Sequence, residues 1–253
     1  WTKSTGNSIA LLLNNQKPLK ADVMISHAWG ESILETLNAI IGKASVIGMT
    51  LDTTIWFCTF AVYQPGDADD DCGPSLKDQL KREPFKRVID AAPHYGVLVV
   101  HTSTAELYGR LWCVFEVNEA LMSNVVTTSA YSMQALEHLT QHEETGSDLE
   151  KALKVDTSFA QCFSEEDEAM IRQKILDTCG YEELNKEILN FRLASVTIFR
   201  EMFKSFTQWA GLASAKEEAF NNLKVVVCRA AMFVGLHCLL PYVEEVGDEP
   251  MAS

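Results

Sequence analysis

Several groups of residues have the types and spacing to do chemistry. Trp112, Glu116 and Glu119 stand at i, i+4 and i+7, which puts an indole and two carboxylates on one face of a helix. Asp67, Asp69 and Asp71 fall at positions 1, 3 and 5 of a calcium-loop pattern. Position 6 is Cys72 where glycine is needed, and position 12 is Asp78 where glutamate is usual, so the stretch reads as a solvated acidic loop. His138 and His142, at i and i+4, can share a helix face. No third ligand accompanies them, and Leu139 stands where a zinc protease needs glutamate, so they read as a solvated polar face. Cys113 with His27 would make a nucleophile pair, but a thiol in an apolar run is more simply a buried structural group. His101, at a strand end, reads as a structural histidine. The chain contains no P-loop, G-x-S-x-G, H-E-x-x-H or G-x-G-x-x-G pattern, and no metal site is assigned.

The elements that position these residues alternate between buried strands and helices. Residues 21–26 (ADVMIS) are a short apolar run entering the loop His27-Ala28-Trp29-Gly30. Ile33, Leu34, Leu37, Ile40 and Ile41 come next at helical spacing, with Gly42 as the expected stop. Residues 53–63 (TTIWFCTFAVY) have the composition of a buried strand, and residues 64–74 must be a loop. Two helical pieces are expected over 75–83 and 84–92, with Pro84 in the first turn of the second. Strand 95–101 (YGVLVVH), helix 111–122 and a fourth strand at 125–128 come after them. Buried strands alternating with helices predict an α/β fold: a flavodoxin-like parallel sheet with helices on both faces, its ligand edge at the loops after the strands.

Beyond about residue 132 the pattern turns helical. Helices are expected over 133–143, 148–153, 164–179, 181–194, 195–209 and 217–240, with a short fifth strand at 155–160 and Gly180 as a helix stop. The division is an α/β domain over 18–160 and a helical extension over 161–245 packed on it. Residues 225–240 are the most apolar stretch, but at this length, and broken by Arg229 and His237, they are too short for a membrane span.

Twenty-one Lys and Arg stand against 35 Asp and Glu, a formal charge of −14. Such a chain is repelled by phosphate backbones and by anionic bilayers, so nucleic acid and direct membrane contact are not expected partners. The seven cysteines are odd in number, widely spread and without a CxxC pair, which points to an intracellular, reducing compartment, the cytoplasm being the simplest. The sequence starts at Trp1 rather than Met, which leaves room for a removed targeting peptide.

Three motifs, in order, carry a family resemblance. Asp22-Val23-Met24-Ile25-Ser26-His27-Ala28-Trp29-Gly30 is similar to the first-strand motif of Toll/interleukin-1 receptor (TIR) domains, in the form met in algae and other protists. Arg110-Leu111-Trp112-Cys113-Val114-Phe115-Glu116 is similar to the W-C-x-x-E segment of plant-type TIR domains, with Arg110 where those often carry a small polar residue. Between them, residues 95–101 with Ser103 and Tyr108 resemble the family's third strand and its loop, so the likeness spans about residues 20–130. The helical part also resembles the segment C-terminal to such regions in protist chains.

The resemblance implies an intracellular signalling domain that works through self-assembly or protein partners. Some TIR domains cleave NAD between nicotinamide and ribose with the glutamate of this helix, which nominates Glu116 as the catalytic residue and NAD as a substrate, with no tightly bound cofactor. A carboxylate suits the task because departure of nicotinamide leaves oxocarbenium-like charge on the ribose. Ser26, His27, Trp29, Gly30, Ser103 and Trp112 would then line the NAD pocket, with Trp29 stacking on a ring and backbone N–H groups near Gly30 holding phosphate. The alternative is a non-catalytic interaction module or accessory subunit in which Trp112 and Glu116 serve the fold. An open pocket holding Glu116 favours the first; a blocked pocket, or Glu116 paired to Arg110, favours the second. Arg229-Ala230-Ala231-Met232 also echoes half of a chlorophyll-binding helix motif, but Lys224 and Val227 replace its glutamate and asparagine.

Overall fold

Residues 2, 5–65, 73–141 and 146–209 are described by a computed structural model of the chain. The acidic stretch with Asp67, Asp69, Asp71 and Cys72, the His142 half of the imidazole pair, and the helix expected over 217–240 lie outside the described residues.

After a short helix α1 (Ile9–Leu13), the two most apolar runs become the central strands, β1 (Val23–Ser26) and β3 (Val97–His101). β2 (Ile55–Phe57) and β4 (Thr127–Tyr131) flank them in the order β2-β1-β3-β4, all parallel. This matches the first four positions of a flavodoxin-like sheet. Side chains alternate between the two faces, as the pleat requires. Val23, Ile25, Leu98 and Val100 meet Ala39 and Ile40 of α2 (Ile33–Ile47) on one face. Met24, Val97 and Val99 enter the larger cluster with Leu111, Val114 and Val117 of a helix on the other. Burial on both faces is why these strands read as unbroken apolar runs.

The boundaries differ from expectation where a single residue type outweighs its surroundings in the reading. Gly42 sits inside α2, since one glycine costs a helix only about 1 kcal/mol. The helix ends instead at Gly48, whose φ of 78° is the left-handed conformation of a helix C-cap. The strand expected over 53–63 pairs only at β2, and Cys58–Ala61 turns into helix α3. Short helices α4 (Leu76–Leu80) and α5 (Pro84–Asp90) come next, Pro84 standing in the first turn as expected. Gly96 is required before β3: its φ is 71°, and a Cβ there would overlap the Val126 carbonyl oxygen. α6 covers Leu111–Met122, as read from the sequence. The fourth strand begins later than expected because the Val125 N–H bonds back to Ala120 and closes the end of α6.

α7 (Met133–Gln141) and α8 (Gly146–Leu153) come after β4. The fifth strand expected at 155–160 is a 3₁₀ turn, Thr157–Phe159, whose start is capped by Asp156, so the described sheet has four strands. Ser164 caps α9 (Glu165–Asp177), accepting from the Asp167 N–H. Gly180, at φ 72°, turns the chain into the next helix. The two helices expected over 181–194 and 195–209 are one, α10 (Gly180–Trp209), because no proline or glycine interrupts them. Ile171 and Ile175 of α9 and Leu184 and Ile188 of α10 are fully buried in the cluster that holds Met24 and Val97. The described part of the extension therefore shares the core of the sheet. No described helix is long and apolar enough to cross a membrane.

Candidate functional site

β1 ends in Ser26, and the next five residues build one wall of a cavity of about 320 Å³ at the carboxyl edge of the sheet. Gly30, at φ 88°, makes the turn that brings Glu31 back toward His27. His27 is clamped on both nitrogens: Nδ1 lies 3.3 Å from Glu31 Oε1 and Nε2 lies 3.2 Å from Cys58 Sγ. Its ring stacks on Phe57 with centroids 4.2 Å apart. Thr36 Oγ1 donates to Glu31 Oε1 at 2.8 Å and fixes that carboxylate. Burial alone would lower the imidazole pKa, but the contacts to Cys58 and Glu31 outweigh it and hold His27 at about 9.

Behind His27 stands the start of α6. Cys113 Sγ donates to the His27 carbonyl at 3.3 Å, and Arg110 Nη1 donates to the same oxygen at 3.4 Å. The Arg110 guanidinium lies 4.8 Å from the centre of the Trp29 ring, a cation–π contact. Glu116 is deeper still, 5% exposed, and is not among the residues lining the cavity. Burial raises its pKa to about 7, while Ser26 and the positive groups His27 and Arg110 pull the other way. The Ser26 hydroxyl is itself buried without a completed hydrogen bond. Burial, with the charge of Glu116 adding to it, pushes the Cys113 thiol well up, so Cys113 is the structural thiol of this pair and Cys58 is the one on the imidazole.

Ser26, His27, Trp29, Gly30 and Glu116 thus gather at one end of β1, but two expected members do not join them. Trp112 packs between Phe85 and Phe115, with ring centroids 5.4 and 5.7 Å away, in the core beside α5. Glu119, on the same side, pairs with Lys86 at 3.2 Å. Ser103 donates from its N–H and its hydroxyl to Glu35, at 2.7 and 2.8 Å, and Ser132 donates to Glu35 at 2.7 Å. That cluster borders a second cavity at the ends of β3 and β4. Sequence reasoning missed Glu31, Cys58, Phe57 and Phe60. The i, i+4 spacing of His27 and Glu31 is the one signal that could have found any of them. Among the described residues, no cluster of three His, Cys, Asp or Glu side chains is placed to hold a metal ion.

The rim of the first cavity is apolar and exposed. Trp29 (56% exposed), Ile33 and Phe60 line it, and Leu34 (70%) and Leu37 continue the patch along α2.

Comparison of the chain with family models, with curated proteins and with solved structures finds no match.

The clamp on His27 gives a direct pH prediction. The imidazole titrates with a midpoint near 9, and Glu31→Gln moves it down toward the ordinary 6.5. Because the folded value is raised, the stability His27 contributes is complete below about pH 6.5 and is lost as pH rises through 9. Proton NMR titration of His27 in both proteins reads this. A midpoint near 6.5 in the parent would contradict the clamp.

Proposed function

We propose that the chain is a TIR-like interaction module that assembles with further copies of itself through the apolar face formed by Trp29, Ile33, Leu34, Leu37 and Phe60. The observation that carries this is that three exposed large apolar side chains, Trp29, Ile33 and Phe60, line one cavity at the carboxyl edge of the sheet, with Leu34 and Leu37 exposed on the same helix as Ile33, while Glu116 is buried and does not line it. The strand order and the clustering of Ser26, His27 and Glu116 at the end of β1 support the TIR-like likeness. Burying this face against another copy removes apolar surface from water, at roughly 25 cal/mol per Å². The net charge of −14 opposes such contacts, so assembly strengthens with ionic strength.

A second reading, cleavage of NAD by Glu116, is favoured by one specific observation. A buried carboxyl held near pH 7 beside Ser26 and His27 is kept at a cost to the fold, and such groups cluster at reactive sites. The cavity wall at His27 would have to move for a ribose to reach it. The two readings part on released nicotinamide. Under homotypic assembly by a non-catalytic module, the purified chain at high concentration leaves NAD intact. Nicotinamide released by the parent and not by a folded Glu116→Ala variant would replace that view with the enzymatic one.

A further inference from the structure

The second cavity, about 300 Å³, lies between the loop after β3, the end of β4, α7, α8 and α10. Its wall includes the Arg192 side chain, which reaches in from α10 and is 5% exposed. Arg192 Nε donates to the Tyr131 hydroxyl at 3.2 Å, and the guanidinium lies 5.3 Å from the centre of the Tyr108 ring. Arg192 Nη1 is buried without a hydrogen-bond partner, and so is the Tyr108 hydroxyl beneath it. Two orphaned buried donors at one place are unusual, and each costs free energy unless an acceptor meets it.

The charge is as unmatched as the donors. No carboxylate among the described residues lies within ion-pair distance of Arg192. Glu106 shares the cavity wall with Arg192 and its charge acts on the guanidinium, but it makes no ion pair with it, and its Oε1 accepts from the Tyr108 N–H. Glu35 is saturated by Ser103 and Ser132. His101 is buried beside Arg192 and stays neutral, since burial and the guanidinium both push its pKa well down. His138 is on the cavity wall, and the Thr102 and Thr104 hydroxyls, 3.3 Å apart, add polar groups to it. A buried cation is costly without a counter-charge, and this one faces a cavity with polar walls.

We propose that this cavity binds a small oxyanion, a phosphate group, with Arg192 as its counter-charge. A planar guanidinium suits phosphate because its N–H groups form a fork matched to two oxygens. The site needs both parts of the chain, since the sheet edge supplies the hydroxyls and α10 supplies the charge. The phosphate can be free or part of a monoester, and the two are told apart by which of them binds.

The test is thermal unfolding of the full chain in inorganic phosphate, in glycerol phosphate and in sodium chloride of equal ionic strength. Phosphate or its monoester at about a hundredfold excess over its Kd raises Tm by roughly 5–10 °C, whereas chloride does not. Arg192→Met, which keeps the stem and removes the charge, loses that response. Glu106→Gln, which removes the neighbouring acid, gains in affinity. Equal shifts in phosphate and chloride for the parent chain would overturn the proposal without any variant. An undiminished phosphate shift in folded Arg192→Met would overturn it as well.

Discussion

At pH 8 the Glu116→Gln variant unfolds at a higher temperature than the parent chain, and at pH 4 the two unfold together. Glu116 is almost fully buried on α6, and folding raises its pKa from 4.5 to about 7. A carboxyl raised by folding is a stability cost wherever the unfolded chain would ionise it. Below about pH 4.5 both states are protonated and the cost is absent. It grows as pH rises from 4.5 to 7 and is complete above that. A rise of this size corresponds to at most about 3 kcal/mol, or roughly 6–12 °C in Tm for a chain of this length. Glutamine keeps the shape and removes the charge. Should Glu116→Gln instead lower Tm at pH 8, the carboxylate would be a stabilising partner of Arg110, and its burial would need a different account.

Cutting the chain after Ala160 gives a product without cooperative unfolding. Ile171, Ile175, Leu184 and Ile188 fill the cluster that also holds Met24, Val97, Leu111 and Val114. Each such side chain contributes about 1.5–3 kcal/mol by its burial, so the four together are comparable with the whole net stability of a domain. Truncation also strips α6 of its outer cover and exposes that cluster to water. The milder probe is Ile188→Ala, expected to cost about 2–5 kcal/mol through the lost contacts and the cavity left behind. Calorimetry on both proteins checks this. A truncated chain that melts in one sharp transition would show that the sheet and its first helices stand alone.

The parts of the fold that are legible in the sequence are those where one physical cause dominates. β1, β3 and α6 are buried by neighbours on both sides, so their apolar runs are nearly unbroken. β2 and β4 lie at the edges of the described sheet, where pairing on one side suffices: β2 is apolar but pairs over only three residues, and β4 is mixed in composition. The TTSAY of β4 carries little hydrophobic signal, and only its Ser129 and Ala130 are buried. The helices expected over 181–194 and 195–209 divide at Ser195, yet Ser195 sits within one helix whose apolar residues continue past it, Val196 being buried.

The candidate site is half legible for the same kind of reason. Residues local to β1 and its loop do gather with Glu116, as their motifs suggest. Cys58 is not legible, because its contact with His27 spans 31 residues and arises from the parallel pairing of β1 and β2. Nothing in TTIWFCTFAVY separates a cysteine bound to an imidazole from one packed as a small hydrophobe. Arg192 is equally hidden, since its bond to Tyr131 joins residues 61 apart and depends on how α10 crosses β4. Trp112 falls on the other side, because i, i+4 spacing shares a face only loosely and its ring turns to Phe85.

The claim on which the rest depends is that the face around Trp29, Ile33, Leu34, Leu37 and Phe60 joins copies of the chain. Sedimentation velocity over a range of protein concentrations, at low and high salt, tests it most directly. The parent is predicted to associate as concentration rises, and more strongly at high salt, where repulsion between chains of charge −14 is screened. Leu34→Glu alters a side chain that is 70% exposed, so it is expected to leave Tm within about 1 °C of the parent while weakening association at least roughly tenfold. A parent that stays monomeric at every concentration and salt, or a Leu34→Glu variant that associates as well as the parent, would contradict it.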